Sequence, residues 1–259
     1  MSPPGRHGRR RGLCEALGEY RSAQHEGALR SSLALDHLVV AARSLDEGLA
    51  WCEASFGFRP DSGGQHGFMG THNRVFSVAS EAFPRAYVEI IAIDPGLPAP
   101  GRARWFDLDD AALQRALVHG PQLVHWVARC VRREGIQATR AALLAGGVDC
   151  GEIEAAERAT PRAMLRWQIS LRADGRRALA GAAPALIEWH DAHPTDTLAD
   201  SGVTLQAMRL SGWPDALAAL LPPAIEHAAV AVAAAAAPIS VVLGGPRGRI
   251  TLQSPSAES

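Results

Sequence analysis

The chain has 259 residues, 47% hydrophobic and 20% charged, enough to bury a full core as one large domain or two smaller ones. Its net charge of −1 gives no electrostatic basis for binding nucleic acid or an anionic membrane. All 26 basic residues are Arg, which excludes Schiff-base lysine chemistry and a P-loop lysine.

Residues 1–32 are rich in Gly, Arg and Ser and read as a flexible extension, with a frayed helix over 12–29. The basic start is followed by no apolar segment, so a secretory signal is not expected and a cytoplasmic location is the default. Order begins with a buried strand over 34–41. Ser44-Leu45-Asp46-Glu47 then matches a helix capping box, with Leu45, Leu49, Cys52 and Phe56 at helical spacing and Gly57 as the stop. A short strand near 58–60 and a Gly-rich loop over 63–73 follow, then strands over 74–79 and 86–93. Together these make a βαβββ-like module. Residues 94–121 are Pro-rich and read as a linker with one short helix around 109–118.

The same order then recurs. A strand is expected over 122–129, a helix over 134–145 stopped by Gly146-Gly147, and strands near 148–152, 165–172 and 184–190. A third, partial unit holds a strand over 203–210, a helix opened by Trp213-Pro214-Asp215, and strands over 225–233, 238–243 and 248–253. The expected organisation is an extension over 1–32, a first module with linker over 33–121, a second module over 122–200 and a third unit over 201–259. The longest Ala/Val stretch, 228–237, is too short to span a bilayer. Cys14, Cys52, Cys130 and Cys150 form no Cys-x-x-Cys pair, which argues against a disulfide framework or a zinc–thiolate site. Trp51, Trp105, Trp126, Trp167 and Trp213 are expected in the core.

Each module places a His in its first strand and a Glu in its last. His37 lies in Leu-Asp-His-Leu-Val-Val and Glu89 in Tyr-Val-Glu-Ile-Ile; His125 lies in Leu-Val-His-Trp-Val and Glu188 in Leu-Ile-Glu-Trp-His. A carboxylate within an apolar strand needs a cation, a donor or a proton. Two imidazoles and two carboxylates suit zinc, nickel, manganese, iron or magnesium. The strand facing of Glu188 is open, because His190 shares its face and Trp189 takes the other. If Glu188 faces outward, a site of two His and one carboxylate remains, as iron dioxygenases use. His66, His72, Asn73 and Arg74 belong to the Gly-rich segment and are candidates for substrate binding. There is no Gly-x-Ser-x-Gly elbow and no P-loop, and no nucleotide cofactor is expected.

With these residues the chain resembles the vicinal oxygen chelate proteins of the glyoxalase-like type. The resemblance rests on the Leu-Asp-His-Leu-Val-Val opening with its Ser-Leu-Asp-Glu-Gly helix start, the Gly-Gly-Gln-His and Gly-Thr-His-Asn segments, Tyr-Val-Glu-Ile-Ile-Ala, Leu-Ile-Glu-Trp-His-Asp and Gly-Pro-Arg-Gly-Arg-Ile. It covers about 33–253. It implies an α+β fold of paired βαβββ modules with a third partial unit, whose curled sheets enclose a pocket. It also implies a divalent metal held by His37, Glu89, His125 and Glu188, with Glu89 or Glu188 acting as catalytic base. The implied activity is that of a metalloenzyme on a small α-carbonyl or vicinal-oxygen substrate, through isomerase, lyase or ring-opening oxygenase chemistry. A metal-free protein that sequesters a small molecule is the alternative. A small molecule is the expected partner, and a homodimer is compatible with the resemblance.

Overall fold

The computed structural model describes residues 32–131, 133–160, 164–229 and 237–255. The N-terminal extension and its expected helix lie outside the described residues. The first module runs β1 (Leu33–Ala41), α1 (Leu45–Phe56), β2 (Gly63–His66), β3 (Thr71–Ser77) and β4 (Tyr87–Ile93). Helix α1 begins as its sequence dictates: the Ser44 hydroxyl accepts from the Glu47 backbone N–H at 3.3 Å. It ends at Gly57, which takes the left-handed φ of 92° that a residue without Cβ adopts at little cost. Gly48, rather than Leu49, is the buried residue on its second turn.

The linker carries α2 (Ala111–Leu117), capped by the Asp110 carboxylate. The second module runs β5 (Gln122–Cys130), α3 (Gly135–Ala145), β6 (Glu152–Ala159), β7 (Met164–Leu171) and β8 (Ala185–Trp189). The third unit comprises β9 (Thr204–Ser211), β10 (Ile225–Ala228), β11 (Ile239–Gly245) and β12 (Gly248–Gln253). The helix expected after Trp213 is a 3₁₀ turn, Asp215–Leu220, and part of the strand expected over 225–233 lies outside the described residues.

Three expected elements differ. Residues 58–60 form no strand, since Pro60 has no N–H to contribute to a ladder. Residues 148–151 form none either: the Asp149 carboxylate accepts from the Gly151 N–H at 2.9 Å, turning the chain before β6. The Gly-rich segment is not an open loop. It is the β2–β3 hairpin, with Gln65 opposite His72 and Gly64 opposite Asn73. Its glycines supply the strand edge and the turn, and its histidines are therefore strand residues of fixed facing.

Both modules contribute to one eight-stranded sheet of order β2-β3-β4-β1-β5-β8-β7-β6. Within each module the first and last strands pair in parallel, β1 with β4 and β5 with β8. The modules join through antiparallel β1 and β5, where Leu38 faces Trp126 and is flanked by the His37–Val127 and Val39–His125 pairs. That register makes His37 and His125 positional counterparts. Alternation then assigns the two faces. Leu38, Val40, Val88, Ile90, Trp126 and Leu186 face the side covered by α1 and α3, and the inner residues of the β9–β12 sheet join the same core. Val39, Ile91, Val127, Ile169 and Ile187 face inward, where Trp105 and Phe106 of the linker pack on them.

Helix α1 comes closest to the sheet at Gly48. A Cβ there would stand 2.4 Å from Cγ2 of fully buried Ile90. A β-branched side chain has little rotamer freedom to retreat. Gly48→Ala is therefore expected to cost about 1–3 kcal/mol of stability in urea unfolding, despite alanine's better helix propensity. A neutral or stabilising effect would show that the helix can lift from the sheet freely.

Candidate functional site

The first-module half of the inner face holds a recess lined by His37 from β1, His66 from β2, Asn73 from β3 and Glu89 from β4. It encloses about 460 Å³, part of it open solvent, and it is narrow enough that only a few waters fit at its base. His37, His66, Asn73 and Glu89 are all buried. They converge because β1 and β4 run in parallel, with His37 opposite Tyr87, so Glu89 lies two residues further along on the same face.

Each imidazole is oriented by a partner on its Nδ1. His37 Nδ1 is 2.8 Å from Asp36 Oδ1, and His66 Nδ1 is 3.2 Å from Thr71 Oγ1. With Nδ1–H donating, the His37 Nε2 lone pair is left for the recess, while His66 Nε2 accepts from the Asn73 amide at 3.4 Å. His37 Nε2 stands 3.6 Å from Glu89 Oε2, and His66 Nε2 stands 4.0 Å from Glu89 Oε1. The Asn73 amide donates to Glu89 Oε1 at 2.6 Å, which fixes the carboxylate. Burial, with the positive charge of Arg158 nearby, pushes the His66 pKa down to about 3, so this ring is neutral at physiological pH.

Asp36 is completely buried. It is approached by His37, by His193 Nε2 at 2.9 Å, by Trp189 Nε1 at 3.1 Å and by Arg129 Nη1 at 3.5 Å. Desolvation alone would raise its pKa, but the bonds from His193 and His37 outweigh it and hold the carboxyl well below its usual range. Tyr87 stacks on the His37 ring at 4.6 Å between centroids, and burial keeps its hydroxyl protonated.

The other candidates lie elsewhere. His72 and Arg74 sit on the opposite face of β3 from Asn73: His72 Nδ1 is 3.4 Å from Asp94, and Arg74 donates to the Asn73 carbonyl. His125 faces inward but lines a separate cavity, with Trp105 and Phe106 shared between that cavity and the recess. The Phe106 ring lies 5.0 Å from the His125 ring. His125 Nε2 accepts the Ala185 backbone N–H at 3.0 Å, so that nitrogen is engaged, while its buried Nδ1 has no partner among the described residues.

The four-ligand set expected from the repeat is not assembled, and Glu188 is the reason. Val127 pairs with Ala185 and Arg129 with Ile187, which places Ala185, not Glu188, in the position equivalent to Glu89. Glu188 falls on the opposite face, with Leu186. There it accepts the Ile136 N–H at 2.7 Å and caps α3, whose own N-cap residue Glu134 makes no side-chain cap bond. Gly135 gives it room, since a Cβ would lie 3.1 Å from the carboxylate. Trp189 turns inward instead and reaches Asp36.

Asp36 was recoverable from sequence as an acidic residue beside a histidine in an apolar strand. Arg158 carries no such signal. It sits in the alternating, charged segment of β6 and reaches across to Asn73 Oδ1 at 3.2 Å.

The profile of the glyoxalase-like domain family matches residues 35–225. The chain belongs to this family. A hypothetical protein from Staphylococcus aureus is 14% identical, with 86% of each chain covered and a TM-score of 0.50. A methylmalonyl-CoA epimerase from Mycobacterium tuberculosis is 17% identical over 64% of this chain and 93% of its own, with a TM-score of 0.37. The Streptomyces coelicolor methylmalonyl-CoA epimerase in complex with 2-nitronate-propionyl-CoA is 15% identical over 62% and 99%, also at 0.37. No curated protein matches. No helix among the described residues of the glyoxalase-like chain is long and apolar enough to cross a membrane.

Two predictions follow from the displaced residues. Glu188→Ala should cost about 1 kcal/mol in urea unfolding through loss of the α3 cap; an unchanged midpoint would contradict the capping role. Burial and the Arg177 charge hold the His125 pKa well below the usual 6.5. Its neutral form therefore contributes fully above pH 6.5, and stability falls as pH drops through that value, where only the unfolded ring takes up a proton. The acid loss of stability should be shallower in His125→Gln, which keeps an acceptor for Ala185 but cannot titrate. Parallel pH curves for the two proteins would reject this.

Proposed function

We propose that the recess is the reactive centre of a glyoxalase-like metalloenzyme acting on a small α-carbonyl or vicinal-oxygen substrate. The observation that carries this reading is the convergence of three buried acceptors, Nε2 of His37, Nε2 of His66 and the Glu89 carboxylate, in one recess. The Asn73 amide donates to both His66 Nε2 and Glu89 Oε1, but His37 Nε2 faces Glu89 Oε2 directly, and such lone pairs repel unless a cation or a proton lies between them. Two imidazoles and one carboxylate are a donor set suited to a divalent transition metal with open positions for substrate oxygens. Orientation of each ring through Nδ1, by Asp36 and by Thr71, is the arrangement that metal-bound histidines adopt. The donor types therefore suit a metal, with His66 taking the place expected of His125 and no role for Glu188.

His37, His66 and Glu89 would hold a divalent ion, which would supply Lewis acidity toward a substrate carbonyl. The remaining steps belong to the chain. Asp36 fixes the His37 ring. Asn73 holds one oxygen of Glu89, leaving the other as the group placed to accept or return a substrate proton. Trp105, Trp167 and Trp189 narrow the recess and limit water. Isomerase or lyase chemistry uses these parts most directly.

A second reading, metal-free sequestration of a small molecule, is favoured by one observation. Among the described residues no three His, Cys, Asp or Glu side chains stand in ready-made coordinating geometry. Elemental analysis of protein purified without an affinity tag separates the two. The metalloenzyme reading expects stoichiometric divalent metal that is lost in His37→Ala, His66→Ala and Glu89→Ala and retained in His125→Gln and Glu188→Ala. Metal-free protein that cannot be loaded, or loading indifferent to the first three substitutions, would replace it with the sequestration reading.

A further inference from the structure

The recess opens beside a wider cleft of about 1010 Å³, and Val75, Arg158 and Pro194 line both. Arg158 is the charged side chain at that junction. Other partly buried arginines are neutralised by carboxylates: Arg102 by Glu154, Arg104 by Asp109, Arg129 by Asp36 and Arg177 by Asp107. Arg158 differs. Among the described residues no carboxylate stands within 4.0 Å of its guanidinium. Its Nη1 donates to Asn73 Oδ1, and its Nε is buried without a hydrogen-bond partner among the described residues.

Neighbouring acids do not supply the missing charge. Glu89 is bonded to Asn73 and faces the two histidines. Asp61, the acidic residue lining the cleft, is exposed and accepts from the Ser62 hydroxyl. A guanidinium with a desolvated, unsatisfied N–H leaves a large favourable interaction open to an anion. Guanidinium recognises a planar carboxylate by two-point contact through its fork of N–H donors.

The geometry points to Arg158 as the receptor for a carboxylate on the substrate, set at the mouth of the recess so that the adjoining oxygens enter toward His37, His66 and Glu89. This rests on the reading of the recess as the reactive centre and narrows it: the substrate class is a small organic acid bearing a carbonyl or hydroxyl next to its carboxylate. Asn73 couples the two functions, since its carbonyl oxygen accepts from Arg158 while its amide fixes Glu89.

The test uses lactate and pyruvate as probes, with lactamide and pyruvamide as neutral counterparts of the same shape. Binding is followed by intrinsic fluorescence of Trp105, Trp167 and Trp189, which line the recess. The wild-type protein should prefer each acid over its amide by about tenfold or more, the range of a charge-assisted hydrogen bond. Arg158→Gln should abolish that preference, Arg158→Lys should restore part of it, and Arg209→Gln, at the far β9–β10 edge, should leave it intact. Circular dichroism of each variant confirms folding, and Arg158→Lys keeps the test valid if the glutamine variant is unstable. No preference for the acids in the wild type, including no binding at all, overturns the proposal, as does a preference that survives in Arg158→Gln. Metal content measured on the same samples keeps the two readings apart. Metal with no acid preference sinks only the receptor. An Arg158-dependent preference without metal sinks only the metalloenzyme.

Discussion

The carboxylate of Asp36 is the interaction on which this architecture depends. A buried charge is tolerated only where donors replace the water it has lost. Here they come from both modules: His37 from the first strand, Arg129 and Trp189 from β5 and β8, and His193 from the segment beyond. The same contacts that compensate for desolvation hold β1 against the second module and fix the tautomer of His37. Folding and site orientation are thus one requirement. Loss of any donor leaves the charge less compensated, and loss of the acceptor frees the ring that faces Glu89.

Much of this fold was legible in the sequence. The Ser44 N-cap, the Gly57 stop, the alternating apolar strands and the repeated order of elements all act locally, and the structure realises them, although Glu47 pairs with Arg43 rather than closing the expected capping box. The pairing of His with Glu was legible only in the first module. Whether a residue faces inward depends on the register between β5 and β8, which forms between strands far apart in the chain. A shift of one position exchanges the faces. The apolar context of Glu188 thus proved a poor guide, because α3 supplies a backbone N–H on the outer side. The Gly-rich segment misled in a related way: glycine there permits a tight hairpin, and the hairpin gave His66 and His72 opposite fates. Arg158 was invisible because its role arises from closure of the sheet, which no local pattern encodes.

The two halves have similar plans and different contents. His37 and His125 are counterparts across the β1–β5 junction, yet only His37 keeps a free Nε2 facing a carboxylate. The linker explains part of this. Trp105 and Phe106 fill the space between the halves, with Phe106 and Asp107 held at φ of 60°, a conformation that costs non-glycine residues about 1–3 kcal/mol each. Ion pairing of Asp107 with Arg177 at 2.6 Å helps to offset it. The inner volume is thereby divided into a polar recess and a smaller cavity around a neutral imidazole.

Curling of the eight-stranded sheet brings its two edges near each other, with Arg158 of β6 against Gly64 of β2. Exposed edges are templates for adding strands from other molecules, and proteins blunt them with short or charged strands. Here β2 is four residues long and glycine-rich, and β6 carries Glu152, Glu154, Glu157 and Arg158. The side chain that spans the seam therefore also shields the sheet from intermolecular pairing, so resistance to aggregation and access to the recess are governed by the same gap.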